Sequence, residues 1–467
     1  MIDMNYKAHI RNRPLLSSNT FARSVSLPVN DFIAGMDISR QLTLLEQSQW
    51  RKTEDLQDYQ NSRLRSLIHH AYSNVPYYHD LFRSLKLSPT DITSKEDLVK
   101  LPVLTKEDIR KCPKKFIAQN ISQKSLIPKL TSGSSGKNFS FFIDKRTLSI
   151  SRAIGLRGLG FAGYSVGDKI VTLGGSSLLP KNIPLFTKIR FKFSQNLPLT
   201  SYNLNYERLN DYLQQIIKFN PKYIRGYPSS IAILAGHALK HGIDTVSLNG
   251  VMTTAETLSK SQRETISKVF HCDVIDQFGC FDGGANASEC DQHCGYHISL
   301  ERSVHEFLDE NGCPVSSGEN GHIILTDLWN YAMPFIRYDA GDMGIPTDRT
   351  CPCGRGLPLL DRITGRTIEQ IVLTNGQRLP GLPLTDVFDH GDVLISVLDY
   401  QIIQEYVDKF VINIVKSEHY SPKISQEIQE WFLGHLGNNV EIYLNFLDEI
   451  PRTDANKRRN VICKVKK

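Results

Sequence analysis

Thr131-Ser132-Gly133-Ser134-Ser135-Gly136-Lys137 is the stretch on which the reading of this chain turns. Glycines and hydroxyl side chains lead up to a lysine, and the strand-like run Leu126-Ile127-Pro128-Lys129-Leu130 precedes them. Glycine lets the backbone reach positive φ and bring N–H groups close to an anion. The hydroxyls add donors and the ammonium adds a point charge. Such a loop suits a polyphosphate, most simply that of ATP. It is not the Walker loop, whose glycines have four residues between them; here only Ser134 and Ser135 intervene. A solvated Gly/Ser turn is the plain alternative, so the rest of the chain has to decide.

Downstream of the loop, residues 147–277 alternate between helical and strand periodicities. Leu209, Tyr212, Leu213, Ile216 and Ile217 mark one helix face, and Tyr223-Ile224-Arg225 reads as a short strand. Leu234, Ala235, Ala238 and Leu239 mark another helix, and Gly250-Val251-Met252-Thr253-Thr254 is again strand-like. The alternation implies an α/β core with largely parallel strands, whose carboxyl-end loops hold ligands. Upstream, Leu64, Leu67, Ile68 and Ala71 have helical spacing up to Pro76, and Thr105 with Asp108 marks a helix start. Residues 1–35 have weak periodicity and read as a loosely held arm.

After residue 366 the pattern changes. A hairpin around Asn375-Gly376, strands near 398–406 and 409–416, a helix carrying Ile424, Ile428, Trp431, Phe432 and Leu436, and a last strand near 440–446 form a separate α+β unit. The expected fold is therefore α/β, a large multi-sheet amino-terminal domain over 1–365 and a smaller α+β domain over 366–467.

The chain has 467 residues, 40% hydrophobic and 22% charged, which is a globular composition. No apolar run reaches the length of a membrane span, and no secretory signal is visible, so a cytoplasmic address is expected. The net charge of +6 partly reflects the basic tail (Lys457, Arg458, Arg459, Lys464, Lys466, Lys467), without aromatics that would suit nucleic acid. The sequence does not choose between monomer and homodimer.

Nine cysteines in such a chain do not read as a disulfide framework. Cys290 and His297, with the tight pair Cys351 and Cys353, supply three thiolates and an imidazole, which would close a tetrahedral structural zinc site. His293, Cys294 and, more distantly, Cys280 are rival ligands.

Taken together, the motifs resemble the adenylate-forming ligases, and within them the phenylacetate-coenzyme A ligase and CapK-like branch, over nearly the whole chain. Asn74-Val75-Pro76-Tyr77-Tyr78 and Leu101-Pro102-Val103-Leu104-Thr105-Lys106 are similar to that branch's amino-terminal pieces. Residues 131–137 are similar to the phosphate-binding loop. Arg225-Gly226-Tyr227-Pro228-Ser229 and Thr253-Thr254-Ala255-Glu256 resemble segments bordering the acyl and adenine pockets. Met333 to Asp342 resembles the ribose-gripping aspartate motif, Gly365-Arg366 the hinge, and Pro451-Arg452-Thr453 with Lys457 the carboxyl-terminal lysine motif. Cys351-Pro352-Cys353-Gly354-Arg355 matches the cysteine-bearing members.

The resemblance implies activation of a carboxylic acid by ATP with magnesium through an acyl-adenylate, and transfer to an acceptor, coenzyme A by default, with an amine or a carrier-protein thiol as alternatives. It implies that 131–137 hold phosphates, that Asp342 accepts from the ribose hydroxyls, that Arg366 anchors the domain junction, and that Lys457 bridges acid and nucleotide. Ala255, Glu256, Gln277, Phe278 and Gly279 are expected at the nucleotide, with Tyr227 and Gly279 on the acyl pocket. At 277–284 the chain departs from the family: Phe281 stands where a threonine is usual and Asp282 where a glutamate is usual, leaving a shorter carboxylate for magnesium. Ile368 stands at the usual charged hinge position, beside Glu369. A nucleotide-binding protein that has lost ligase chemistry is the alternative for which Phe281, Asp282 and Ile368 argue, and Asp342 and Lys457 oppose it.

Overall fold

Apolar periodicity and local caps explain where the helices lie. The computed structural model describes residues 18–465 apart from 132–138, 180–190, 193, 203, 368–369, 381, 390, 418, 438 and 453–458. The helix Thr53–Asn74 buries Leu56, Leu64, Leu67, Ile68 and Ala71 and yields at Val75 to Pro76–Ser84. Proline suits that first position because the N–H it lacks would have had no partner. Thr105 and Asp108 form a capping box on Lys106–Lys111, as Ser259 and Gln262 do on Lys260–Phe270. Residues 18–34, read from sequence as part of a loose arm, are instead helical and tied down. Asn19 Nδ2 donates to Asp168 Oδ1 at 2.7 Å, and buried Asp31 accepts from the Ser39 N–H at 2.6 Å. Residues 1–17 of that arm lie outside the described residues.

The strands fall into four sheets. β1 (Ile127–Thr131) and β2 (Phe139–Ile143) form an antiparallel hairpin. Next in the chain come β3 (Ile170–Gly174), β4 (Asn196–Thr200), β5 (Tyr223–Gly226), β6 (Gly250–Thr254) and β7 (Val274–Cys280). They continue with β8 (Ala285–Ser288), β9 (Tyr296–Ile298), β10 (Ser303–Leu308), β11 (Gly321–Asp327), β12 (Tyr338–Pro346) and β13 (Leu359–Arg366). These eleven make one sheet in the order β10-β11-β12-β13-β9-β8-β7-β6-β5-β3-β4. From β7 to β4 every neighbour is parallel; from β7 to β10 every neighbour is antiparallel.

The parallel half is the one the 147–277 alternation announces. Helices Tyr206–Phe219, Pro228–Lys240 and Lys260–Phe270 cover one of its faces, burying Leu213, Ile216, Ile231, Leu234 and Ile266 with Val171, Ile224 and Val251. Each such side chain contributes about 2 kcal/mol by leaving water. Gly226 is required where β5 meets β3, since a Cβ there would lie 2.0 Å from the Leu173 carbonyl oxygen.

Toward the carboxyl end, β14 (Gln370–Val372) and β15 (Arg378–Pro380) form the hairpin expected around Asn375-Gly376, with Gly376 at φ +84°. β16 (Val397–Tyr406), β17 (Lys409–Lys416), β18 (Glu441–Phe446) and β19 (Val461–Cys463) form a sheet in the order β18-β17-β16-β19. The helix Pro422–Leu436 packs Ile424, Ile428 and Phe432 on its own core with Ile402, Ile412 and Ile414. The strand near 440–446 is thus not the last. β19 follows and pairs parallel with β16; three residues in a basic tail are too few to show a period. Among the described residues no helix is long and apolar enough to cross a membrane.

Candidate active site

β7 ends at Cys280, and Phe281-Asp282 follow at the carboxyl edge of the parallel half. Asp282 is buried with both oxygens engaged. Tyr338 Oη donates to Oδ2 at 2.6 Å, the Cys280 thiol donates to Oδ1 at 3.3 Å, and Lys106 Nζ stands 3.6 Å from Oδ2. Burial, reinforced by the Asp282 charge, pushes the Tyr338 phenol and the Cys280 thiol well above their ordinary values, so both serve as neutral donors. A carboxylate this enclosed is tolerated because it has a cation and two donors.

Two segments far apart in sequence build the adjoining wall. The Leu104 N–H donates to the Arg337 carbonyl at 2.8 Å, and the Asp339 N–H donates to the Leu104 carbonyl at 2.9 Å. Lys106 Nζ donates to the Ala340 carbonyl at 3.1 Å. Buried Arg337, at φ +54°, donates to the Leu101 carbonyl at 2.5 Å and pairs with Glu306 at 2.9 Å. The stretches 101–106 and 333–342, separate motifs in the sequence, are one structure here.

On β12, Asp342 lies in register with Arg366 of β13, and Arg366 Nε is 3.2 Å from Asp342 Oδ1. Burial raises the Asp342 carboxyl; Arg366 and then Lys106 pull it back. The Thr131 end of the loop is placed by its stem. Thr131 pairs with Phe139, whose ring stacks 6.3 Å from that of Tyr338. Residues Ser132 to Lys137 lie outside the described residues, but the Phe139 end of their segment packs against Tyr338, which holds Asp282. Phe281, in the usual threonine position, packs 6.1 Å from Phe141 of the same hairpin, and Lys129 Nζ sits 5.5 Å over its ring. What the position loses in hydroxyl it gains as a support under β1.

The other expected residues are placed as follows. Ala255, at φ +73°, and Glu256 follow β6, and Glu256 Oε2 accepts from the Ser229 N–H at 3.3 Å. Gln277 is buried on β7, Phe278 is partly buried, and Gly279 has open space above its Cα. Tyr227 is fully buried, with the Ser177 N–H donating to its hydroxyl at 3.3 Å, so it packs under the site rather than facing an open pocket. Lys457, Ile368 and Glu369 lie outside the described residues. Arg452, just before the lysine segment, donates to Ser229 Oγ at 3.2 Å and stands 3.9 Å from Asp399 of the small domain.

A second cluster lies further along the sheet. One ligand atom from each of Cys290, His297, Cys351 and Cys353 falls within 4.8 Å of all the others. The Cys290 and Cys351 sulfurs are 3.6 Å apart, and His297 Nε2 is 3.4 Å from both Cys290 Sγ and Cys353 Sγ. Bonds of about 2.3 Å to sulfur and about 2.0 Å to nitrogen around a tetrahedral zinc demand edges of this size. His297 Nδ1 faces the Leu357 carbonyl at 3.4 Å, the outer contact that fixes a ligating imidazole. The rivals are occupied elsewhere: His293 bonds Asp273 at 2.9 Å, Cys294 donates to the Gln292 carbonyl, and Cys280 serves Asp282.

Sequence reasoning gave no role to Lys106 or Tyr338 and considered Cys280 only as a distant rival metal ligand. Lys106 and Tyr338 stood inside quoted motifs, but a lysine after a helix cap reads as solvent-facing until the fold lays it beside Asp282.

Residues 375–464 match the family model of the CapK C-terminal domain. The chain is 26% identical to protein CapK of Staphylococcus aureus over 431 residues, 89% of this chain and 91% of that protein. It is 23% identical to the phenylacetate-coenzyme A ligase of Thermus thermophilus over 442 residues, 88% of this chain and 96% of that one. Among solved structures, 2-hydroxyisobutyryl-CoA ligase in the postadenylation state with 2-HIB-AMP superposes with a TM-score of 0.69 at 18% identity, covering 87% of this chain and 89% of the other. In its thioesterification state with CoA the TM-score is 0.57, over 88% and 90%. The chain is a relative of CapK and of the phenylacetate-coenzyme A ligases, built on the fold of the adenylate-forming ligases.

Proposed function

We propose that the chain is an AMP-forming acid ligase that joins a carboxylic acid to ATP as an acyl-adenylate and then passes the acyl group to coenzyme A. In the first step a carboxylate oxygen bonds to the α-phosphorus as the bond to pyrophosphate breaks. In the second a sulfur bonds to the acyl carbon and AMP leaves. The observation that carries this reading is the convergence at one sheet edge of the 131–137 loop stem, the Asp282–Tyr338–Lys106 cluster and the Asp342–Arg366 pair.

In this reading Thr131 to Lys137 cradle the leaving phosphates, Asp342 takes the ribose hydroxyls beside Arg366, and Lys457 contacts the acid and the nucleotide. Charge building on the phosphoryl oxygens is met by fixed donors and cations. Magnesium supplies further neutralisation there, but Asp282 presents no open oxygen to it. We assign Asp282 to holding Tyr338 and Lys106 in place. The contact of Arg452 with Ser229, beside Glu256, favours a closed arrangement in which the carboxyl-terminal unit touches the nucleotide end. Cys290, His297, Cys351 and Cys353 would hold a structural zinc, their four ligand atoms leaving no position for catalysis.

ATP–pyrophosphate exchange across a broad panel of acids tests the first step, and Lys457→Ala should abolish it. Nucleotide binding without exchange for any acid would replace this reading with that of a binding protein alone. Product analysis with coenzyme A, amines and a carrier-protein thiol separates the acceptors.

A further inference from the structure

Lateral register places Thr172, Arg225, Met252 and Ile275 in one row across β3, β5, β6 and β7. Two residues nearer the carboxyl edge, on the same face, the row is Thr254, Gln277 and Ser288. The helix Lys145–Phe161 covers this face. Its Gly158 approaches so closely that a Cβ there would lie 2.7 Å from both Gln277 Nε2 and Ser288 Oγ.

Among the described residues, three polar atoms in this layer are enclosed without a hydrogen-bonding partner: Arg225 Nε, Gln277 Nε2 and Ser288 Oγ. Among the described residues no carboxylate pairs with the Arg225 guanidinium. Its titratable neighbour is Tyr164, whose phenol burial pushes up to about 12, so it carries no compensating charge at neutral pH. Burial also lowers the guanidinium from its ordinary value, which marks the cost of the charge there. Arg225 as a whole is half-buried but its Nε is enclosed, and a partly desolvated cation without a counter-charge among the described residues is a costly feature for a fold to keep. Residues held at such a cost concentrate where a ligand completes them.

We propose that Arg225, with Gln277 and Ser288 above it, receives a second anionic group of the acid substrate, a carboxylate distal to the one that is adenylated. The inference rests on the ligase reading and gives it a substrate class: dicarboxylates, rather than acids with a neutral tail. The Arg225 row lies two residues, roughly 6–7 Å, below the row nearer the edge, which sets the depth the distal group must reach. A guanidinium fork accepts a carboxylate through two parallel hydrogen bonds, which a neutral tail cannot supply.

The test is exchange kinetics with matched acid pairs, butyrate against succinate and phenylacetate against 4-carboxyphenylacetate, on the wild type and on Arg225→Met. The wild type should favour the charged member of at least one pair by on the order of tenfold or more in kcat/KM. Arg225→Met should erase or reverse that ratio, and its melting temperature should match or exceed that of the wild type. Preference for the neutral member in both pairs overturns the inference and leaves the ligase reading standing, as does a ratio that Arg225→Met does not move. A melting temperature lowered by several degrees also overturns it, because the arginine then has a structural partner. Exchange with no acid of any kind removes the ligase reading and this inference with it. The wild-type ratios are read independently of the variant.

Discussion

Asp342 and Arg366 face each other across β12 and β13, with Arg366 Nε 3.2 Å from Asp342 Oδ1. The arginine opposes the rise that burial imposes on this carboxyl and so favours its ionised form, which can accept two hydroxyls at once. Arg366→Gln removes the cation and leaves burial unopposed except by Lys106, so the Asp342 carboxyl should rise further. A carboxyl with a raised value is protonated first as pH falls, and the protonated form accepts less. We expect ATP affinity in Arg366→Gln to drop by on the order of tenfold near neutral pH. It should weaken further as pH falls below neutral, over a range in which the wild type loses less. Calorimetric titration with ATP across that range reads both effects.

Lys106 is the single cation held against Asp282 among the described residues. Lys106→Met leaves the carboxylate with hydroxyl and thiol donors alone. Exchange at saturating ATP should fall by on the order of a hundredfold, the scale of removing one preorganised charge from such a site. Lys106→Arg should recover part of it. Equal losses in both variants would point to packing instead of charge.

Elemental analysis of the purified chain should find about one zinc per molecule, as four protein ligands require. Cys351→Ser, or exhaustive chelation, should lower the melting temperature by about 5 °C or more. A metal-free chain with an unchanged melting temperature would show that the cluster is only a group of packed thiols.

Among the described residues, both ring nitrogens of His305 on β10 are enclosed without a side-chain or backbone hydrogen bond, and burial holds the imidazole down to about 4. The unfolded value is about 6.5, so the folded state resists protonation. The stability tied to the neutral ring is complete above about pH 6.5 and is lost as pH falls toward about 4, with a size on the order of 2–3 kcal/mol. His305→Leu should flatten urea-denaturation stability over that window. An unchanged slope would place the acid sensitivity elsewhere.

Much of the fold could be read in advance because its signals are local. The Ser259 and Thr105 caps, the 3.6-residue spacing of Leu209 to Ile216 and the Asn375-Gly376 turn each act over a few residues. The antiparallel half of the large sheet left no such trace, because strands such as β8 and β9 are four and three residues long. The zinc ligands could be guessed from residue type, although spacing alone left His293 and Cys294 in contention until hydrogen bonds to Asp273 and Gln292 claimed them. Lys106 and Arg225 were out of reach for another reason. Their chemistry depends on whether a counter-charge lies nearby in space, and no spacing rule encodes that.

One of the two narrowest joins in the large sheet is also where the cysteines gather. β9 meets β13 through only two paired positions, Leu359 with His297 and Leu360 with Tyr296. That join lies between the half carrying Asp282 and Gln277 and the half carrying Asp342 and Arg366. A metal bound to Cys290 and His297 on one side and to Cys351 and Cys353 on the other would rivet the two halves together. Stripping it should then let them shear past each other, so that nucleotide grip and acid grip drift out of alignment while each half keeps its own core.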